Sequence, residues 1–207
     1  MKHRLPLTIA VATLAGLSAC PSFAEEKGSG FYFNAEAGAN VAEDVDGGVS
    51  GSLGSLSGKA ELHTGTRFGA GVGYQLTRYL GFEFDTGWTW NQFKDSDSYL
   101  AHIPFLLNAV VRFPNASRFE PYLGAGAGGA YSTLVVDEGA VEDDDADVGF
   151  AWQAMAGVRY RFKENMTLGL GYKYLNTSDT DYDIEGGRVK LDGTHNHSFG
   201  VVFNMSF

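Results

Sequence analysis

From about residue 30 to residue 207, the chain consists of segments of roughly ten residues in which apolar positions alternate with polar or glycine positions. In the last segment Phe199 and Val201 fall on one face, and Ser198 and Gly200 fall on the other. Period two with one apolar face indicates β-strands. Backbone groups inside lipid must be satisfied internally, so only helices and closed β-barrels span membranes. Of these two, only the barrel has short alternating segments, and this pattern therefore predicts a membrane barrel.

Eight such segments are separated by connections that alternate between long and short. The segments are residues 30–41, 64–74, 80–91, 99–113, 120–133, 149–162, 166–175 and a last one ending at Phe207. The polar connections are 42–63, 92–98, 134–148 and 176–194, and the tight turns are 75–79, 114–119 and 163–165. Long loops at one end and short turns at the other are typical of outer-membrane barrels. We therefore predict an all-β protein with an eight-stranded antiparallel up-and-down transmembrane β-barrel, whose two termini lie on the short-turn, periplasmic side.

Aromatic residues support this prediction independently, because they cluster near both ends of the predicted strands. The set near the short turns is Phe31, Phe33, Tyr74, Phe113, Tyr160, Phe162 and Phe207. The set near the long loops is Trp88, Trp90, Tyr99, Tyr131, Phe150, Trp152 and Tyr174. Two aromatic girdles are expected where a barrel crosses the two membrane interfaces.

The alternative is a soluble β-sandwich or lipocalin-like barrel, in which the apolar face points inward. Alternation alone does not separate the two arrangements. The chain holds 28 glycines, and many lie on the polar face, which suits a crowded lumen better than a solvated surface. Charges on that face are few and of both signs, and Phe207 ends the chain on the apolar face. These features favour the membrane barrel.

The first 24 residues have the pattern of an export signal. Lys2 and Arg4 precede an apolar stretch over residues 5–19, and Ser22-Phe23-Ala24 is a small-x-small cleavage site. We therefore expect a signal peptide at residues 1–24 and an outer-membrane barrel domain at residues 25–207. The alternative is lipidation of Cys20 in the lipobox-like run of residues 17–20. The net charge of -10 argues against nucleic acid as a partner.

Several stretches give the chain a resemblance to a known family. They are the alternating run of residues 124–128 after Pro121-Tyr122, residues 103–108, residues 170–176 and the terminal Phe207. Together with the export signal, they resemble the small bacterial outer-membrane β-barrel domain family, which includes the barrel of outer membrane protein A. The resemblance implies outer-membrane lipid and lipopolysaccharide as surroundings. It also implies that Phe207 is the signal read by the barrel assembly machinery.

Eight charged residues fall on the face predicted to line the lumen. They are Glu36, Arg67, Glu83, Asp85, Arg112, Arg159, Arg161 and Lys173. An eight-stranded barrel leaves an interior just wide enough for side chains, so these residues are expected to form a plug of paired charges. The alternative is a narrow, anion-preferring pore along the four arginines and the lysine.

Two of the predicted loops carry Asp-x-Asp-x-Asp runs that could associate loosely with a divalent cation. The aspartates are Asp143, Asp145, Asp147, Asp179, Asp181 and Asp183. Neither run continues as a calcium loop, because Val148 and Ile184 occupy the glycine position and Ala154 and Lys190 the closing glutamate position. A solvated acidic rim is the simpler interpretation. Loop one, residues 44–58, is rich in glycine and serine and has the composition of a flexible linker.

No pattern supports a cofactor, a metal centre or a catalytic site. His195 and His197 lie two apart on one strand face, without further ligands at usable spacing. Since His197 and Ser198 are adjacent, alternation sends them to opposite faces and prevents a His-Ser pair. We therefore expect a non-enzymatic structural or surface-interaction protein that binds an extracellular ligand through its loops. A narrow porin-like channel is the alternative, and a lipid-modifying enzyme is a weaker third.

Overall fold

The computed structural model of this chain describes residues 29–51, 54–94, 97–137, 142–184 and 187–207. Twelve β-strands lie in these ranges. They are β1 (Gly30–Ala42), β2 (Val45–Gly51), β3 (Gly54–Ala60), β4 (Gly65–Gln75), β5 (Leu80–Gln92), β6 (Tyr99–Arg112), β7 (Phe119–Asp137), β8 (Glu142–Lys163), β9 (Met166–Thr177), β10 (Thr180–Ile184), β11 (Gly187–Leu191) and β12 (His195–Ser206). In the described part of the chain, no helix is long and apolar enough to cross a membrane. The predicted signal peptide lies outside the described residues.

Eight of the strands close into an antiparallel barrel in the order β1-β12-β9-β8-β7-β6-β5-β4. The first and last barrel strands pair directly, with Tyr32 opposite Ser206 and Gly38 opposite Gly200. Residues 76–79, 113–118 and 164–165 form tight turns at one end of the barrel, which we call the turn end. The opposite end, where the connections are long, is the loop end. The predicted eight-stranded up-and-down barrel is therefore confirmed.

The apolar face of each barrel strand points outward. Leu170 is 70% exposed on the outside, whereas Asp85, which points into the lumen, is fully buried. Aromatic pairs mark both ends of this outer surface: Phe119 lies 5.2 Å from Tyr160 at the turn end, and Trp152 lies 5.2 Å from Tyr174 towards the loop end. A soluble barrel with an apolar interior would have the opposite orientation. The outer surface is thus suited to lipid, with aromatic girdles where they were predicted.

The long connections contain more regular structure than the sequence suggests. β7 and β8 continue four and seven residues beyond their predicted loop-end limits of 133 and 149, and pair as far as Asp137 opposite Glu142. The other four strands form a second sheet in the order β10-β11-β2-β3, which we call the loop-end sheet.

The expectation that loop one is a flexible linker is wrong, because it forms the hairpin of β2 and β3. Its strand β2 pairs with β11 from the last long connection, with Val49 opposite Val189. Val45 of β2 and Leu191 of β11 are both buried, in one apolar cluster. Composition missed the hairpin because its stabilising partner lies about 140 residues away in sequence.

Candidate functional site

The middle of the lumen is crossed by a cluster of buried charges, the central ion network, formed by Glu36, Arg67, Asp85 and Lys173. The Lys173 ammonium donates to Glu36 at 2.9 Å and to Asp85 at 2.8 Å. Arg67 Nε donates to Glu36 at 2.6 Å, and Arg67 Nη2 lies 3.6 Å from Asp85. These residues stand on β1, β4, β5 and β9, so the network joins opposite walls of the barrel. The alternating pattern put all four on one face, and the structure brings them together.

Amides extend this network to the remaining side of the barrel. Gln153 donates to Asp85 at 2.9 Å and to Asn108 at 2.8 Å, and all three side chains are buried. Buried charges are tolerated when they are paired and further hydrogen-bonded, as here. Sequence reasoning missed Gln153 and Asn108, although both occupy inward positions of the period-two pattern. Searching that face for amides as well as charges would have found them.

Below the network, towards the turn end, lies what we call the arginine layer: Arg112, Arg159, Tyr32 and Tyr122. Arg112 stacks 4.5 Å from the centre of the Tyr32 ring, and Arg159 stacks 4.1 Å from that of Tyr122. A guanidinium over a tyrosine ring gains a cation–π attraction that strengthens when water is excluded. This layer lies in the lumen between the central ion network and the turn end.

The remaining predicted lumen charges, Glu83 and Arg161, belong to neither the central ion network nor the arginine layer. Glu83 is buried next to Asp85 on the inward face of β5. Arg161 lies at the turn-end rim, where it donates to Glu120 at 2.9 Å. Glu120 is therefore an additional lumen acid that the alternating pattern did not single out.

A cavity of about 20 Å³ separates the central ion network from Tyr122. It is lined by Glu36, Arg67, Lys173 and Ser198, among others. A volume of this size holds about one water molecule in a polar environment. The lumen is thus packed with side chains at mid-height, which is unlike a continuous aqueous channel.

Above the network, Asn40 is the centre of a second polar cluster, the amide layer, with Asn91, Asn196 and Ser198. Its side-chain nitrogen donates to Asn91 at 2.6 Å and to Asn196 at 2.8 Å, and its oxygen accepts from Ser198 at 2.6 Å. All four residues are buried. The amide layer links β1, β5 and β12 and closes the lumen further towards the loop end.

One histidine and one serine do meet inside the barrel. His102 Nδ1 lies 2.8 Å from Ser132 Oγ, and His102 Nε2 lies 3.2 Å from Thr194 Oγ1. A nucleophile activated by histidine also needs an orienting group and access for substrate. Here the third partner is a threonine, and His102 and Ser132 are 2% and 1% exposed. This contact fits a structural hydrogen-bond network better than a catalytic site.

An apolar cluster at the loop end, the apolar cap, covers the amide layer. Its buried members come from the first and last polar connections and from the barrel strands. They are Ala42, Val45, Leu62, Leu100, Leu134 and Leu191, with Phe93 packed against them. Burying this surface fixes the loop-end sheet onto the barrel mouth. The loop-end sheet and the apolar cap therefore form one packed unit over the filled lumen, which we call the head.

Exposed ion pairs lie on the surface of this head. Lys59 lies 3.4 Å from Asp44, and Lys190 lies 3.3 Å from Asp179. Asp179 also accepts a hydrogen bond from the Gly193 backbone N–H at 3.0 Å. That hydrogen bond, together with Lys190, lowers the pKa of the Asp179 carboxyl below its ordinary value. The last long connection is thus tied together by an ionised aspartate.

The predicted divalent-cation runs lie only partly among the described side chains. Asp147 and Asp179 have described side chains, and Asp147 accepts from the backbone N–H of Val148 at 2.7 Å. The side chains of the other four aspartates, Asp143, Asp145, Asp181 and Asp183, lie outside the described residues. Among the side chains that are described, no three His, Cys, Asp or Glu groups are close enough to hold a metal ion. A cation site on these loops stays a prediction.

His195 and His197 share the outward face of β12, as alternation predicts. Tyr172 and Tyr174 on β9 contact them: the Tyr172 hydroxyl lies 2.8 Å from His197 Nδ1, and the Tyr174 hydroxyl lies 2.6 Å from His195 Nδ1. His197 Nε2 also lies 3.1 Å from Glu43 Oε1. These aromatic hydrogen bonds lie on the outer wall towards the loop end, where a girdle meets polar headgroups.

Phe207 ends the chain at the turn end. Its backbone N–H donates to the Phe31 carbonyl at 2.9 Å, and the residue is 71% exposed. Phe207 is therefore anchored by its backbone while its side chain lies exposed at the turn end of the barrel. Its use as a barrel-assembly signal remains a prediction.

Comparison with known proteins identifies the family. A model of the outer membrane protein β-barrel domain matches residues 9–207, and the chain belongs to that family. Proteins of this family reside in the bacterial outer membrane, and the lipid-facing wall described above agrees with this location. The resemblance inferred from the sequence is confirmed.

Two curated relatives have informative names. Outer membrane protein PagN of Salmonella typhimurium is 33% identical over 97 residues, which are 44% of this chain and 37% of that protein. "Putative adhesin RC1281" of Rickettsia conorii is 22% identical over 184 residues, which are 77% of this chain and 74% of that protein. The chain thus spans little more than a third of PagN and about three quarters of the rickettsial protein.

Solved outer-membrane proteins share the fold. Neisserial surface protein A is 22% identical, with a TM-score of 0.54 over 87% of this chain and 100% of that one. OprG from Pseudomonas aeruginosa is 16% identical, with a TM-score of 0.59 over 86% of this chain and 97% of that one. At these identities the likeness shows a common outer-membrane barrel fold.

Proposed function

We propose that this protein is a non-enzymatic outer-membrane barrel whose ordered loop-end head binds molecules at the bacterial surface. In this proposal the loop end faces the exterior and the turn end faces the periplasm. The observation that carries the proposal is the loop-end sheet, in which β2 of the first long connection pairs with β11 of the last. Connections that only joined strands would not need a shared sheet and an apolar core of their own.

The filled lumen supports a role at the surface over a role in conduction. Lys173 and Arg67, which would line the path of the alternative channel, are held by Glu36 and Asp85. The amide layer and the apolar cap lie above that barrier. A solute would have to displace these three groups of side chains, and the arginine layer below them, to pass, whereas binding at the head requires no movement of the lumen.

The relatives agree with this proposal at the level of their names. The rickettsial relative is named for adhesion, and PagN is named as an outer-membrane protein. The buried surroundings of His102 and Ser132 argue against an enzyme at the one histidine–serine contact described above. We therefore assign the head, and not the lumen, as the working surface.

Attachment assays test the proposal directly. The protein is expressed in a bacterium without adhesins, and adherence to mammalian cells, extracellular matrix and other bacteria is measured at matched surface amounts. The head variants replace residues 45–60 or 180–191 by a short Gly-Ser turn. The control variant exchanges the exposed turn-end residues Lys163 and Glu164 for alanine, which leaves the head intact.

We expect the unaltered protein and the turn-end control to increase attachment to at least one surface, and both head variants to lose that increase. The refolded protein in planar bilayers is expected to be electrically silent. Discrete conductance steps, or attachment that persists in both head variants, would contradict the proposal. A change in lipid A mass on overexpression would instead indicate an enzyme.

A further inference from the structure

The interior of the barrel carries one more base than acid. Between the amide layer and the turn end, the inward residues that are buried or half-buried comprise five bases and four acids. The bases are Arg67, Arg112, Arg159, Arg161 and Lys173, and the acids are Glu36, Glu83, Asp85 and Glu120. An uncompensated charge in a low-dielectric interior is costly, so the excess positive charge calls for a partner.

The ion pairs locate the excess in the arginine layer. Glu36 and Asp85 are taken by Arg67 and Lys173, and Glu120 is taken by Arg161. This leaves Arg112 and Arg159 with Glu83 as the remaining acid. Arg112 is paired in register with Tyr122, and Arg159 stacks on the ring of that same tyrosine, so the two arginines occupy one neighbourhood of the lumen.

Both guanidinium groups have buried N–H donors without a hydrogen-bond acceptor among the described residues. Nε and Nη2 of Arg112, and Nε and Nη1 of Arg159, are buried without an acceptor among the described residues. Arg159 as a whole is only 2% exposed. Stacking of Arg159 on Tyr122 uses the flat face of the guanidinium group and not its N–H edge. Since buried donors without an acceptor are rare and costly, the four nitrogens mark a place for one.

We propose that Arg112 and Arg159 together bind a small monovalent inorganic anion of the size of chloride, in the turn-end half of the lumen. One negative charge balances the interior, and the guanidinium edges supply the donors. Glu83 lies near the same arginines and would repel a multivalent anion. The anion would exchange through the turn-end rim beside Arg161, whose side chain is 41% exposed. The central ion network above it blocks onward passage, so the site holds an ion without conducting it.

Thermal unfolding in two salts tests the site. The refolded protein is heated in sodium chloride and in sodium gluconate at equal ionic strength, and the folded fraction is followed by gel mobility. At chloride ten times above its Kd, the midpoint is expected to rise by about 3–6 °C over gluconate, because a ligand of the folded state stabilises it. Gluconate is too bulky for this site and serves as the reference anion.

The variant Arg159→Met is expected to abolish the chloride increment. Removing this one base leaves equal numbers of bases and acids in the interior, so the variant is expected to fold in gluconate. Arg112→Met gives a second variant with the same expectation. The matched control is Arg161→Met, whose arginine is already paired with Glu120 at the rim, and it is expected to keep the increment.

A direct measurement makes the proposal independent of the variants. In crystals grown in bromide, an anomalous peak is expected between the Arg112 and Arg159 guanidinium groups. Equal midpoints of the unaltered protein in chloride and gluconate would overturn the proposal, as would a bromide map without a peak there. An increment that Arg161→Met removes but Arg159→Met retains would also overturn it.

Discussion

Replacing Lys173 by methionine tests the central ion network most severely. Lys173 is 7% exposed and holds two buried carboxylates at 2.9 and 2.8 Å. Methionine keeps much of the side-chain volume but removes the ammonium, so Arg67 is the one cation of the central ion network left to Glu36 and Asp85. Removing one partner of a buried ion pair costs about 3–5 kcal/mol, because the remaining charge stays buried without compensation.

The matched control is Lys190→Met. Lys190 also contacts an aspartate, at 3.3 Å, but its side chain is 56% exposed and its partner is 58% exposed. Exposed ion pairs contribute about 0–1 kcal/mol. The two substitutions remove the same ammonium from two ion-paired lysines that differ in burial, so the difference between them measures the effect of burial.

Urea unfolding of the refolded barrel, followed by gel mobility, measures both variants. With a urea slope of about 2 kcal/mol per molar, Lys173→Met is expected to lower the midpoint by about 2 M and Lys190→Met by less than about 0.5 M. Adding Glu36→Gln to Lys173→Met is expected to recover part of the loss, since it removes one unpaired charge. Equal midpoints for the two single variants would refute the conclusion that the buried central ion network stabilises the barrel.

Three further predictions concern the wall, the head and the chain end. Gly126→Ala is expected to lower stability by about 1–3 kcal/mol, because the new methyl group meets a lumen amide and a backbone carbonyl, whereas Gly129→Ala, with its nearest atom at 3.6 Å, is expected to change it by less than about 0.5 kcal/mol in the same urea assay. The lowered pKa of Asp179 means that its link to Gly193 is complete at neutral pH and is lost only as the pH falls through that lowered pKa. The Gly193 amide shift in NMR is therefore expected to titrate below the ordinary aspartate value of about 3.9, and a midpoint at or above that value would exclude the link. Deleting Phe207 is expected to reduce the amount of folded barrel in cells while leaving refolding in detergent intact, and equal losses in both settings would point to stability instead of recognition by the assembly machinery.

Much of the barrel follows from the local pattern of the chain. Alternation assigns each residue to a face as soon as the strand is recognised, because side chains of a strand point to opposite sides. This is why the alternating pattern alone places Glu36, Arg67, Asp85 and Lys173 in the lumen. Partners across the lumen do not follow from alternation, since Gln153 and Asp85 are 68 residues apart and meet only when the sheet closes.

The head shows the limit of local patterns more clearly. Residues 44–58 have the composition of a linker. The pairing of β2 with β11 and the burial of Val45 stabilise a β-hairpin there instead. Likewise, His102 contacts Ser132 on the neighbouring strand, but its other partner, Thr194, is 92 residues away in the sequence. Local propensity for strands is weak and depends on context, so tertiary contacts decide such cases.

The sequence by itself determined that this protein is an eight-stranded outer-membrane barrel with a polar lumen and an apolar wall, because a period of two and the requirement to satisfy backbone groups in lipid leave few other solutions. Tertiary structure alone decided which lumen charges pair, where a positive charge is left over, and that two distant loops share a sheet. These outcomes depend on the register between strands far apart in the chain, and register is fixed by how the whole barrel packs.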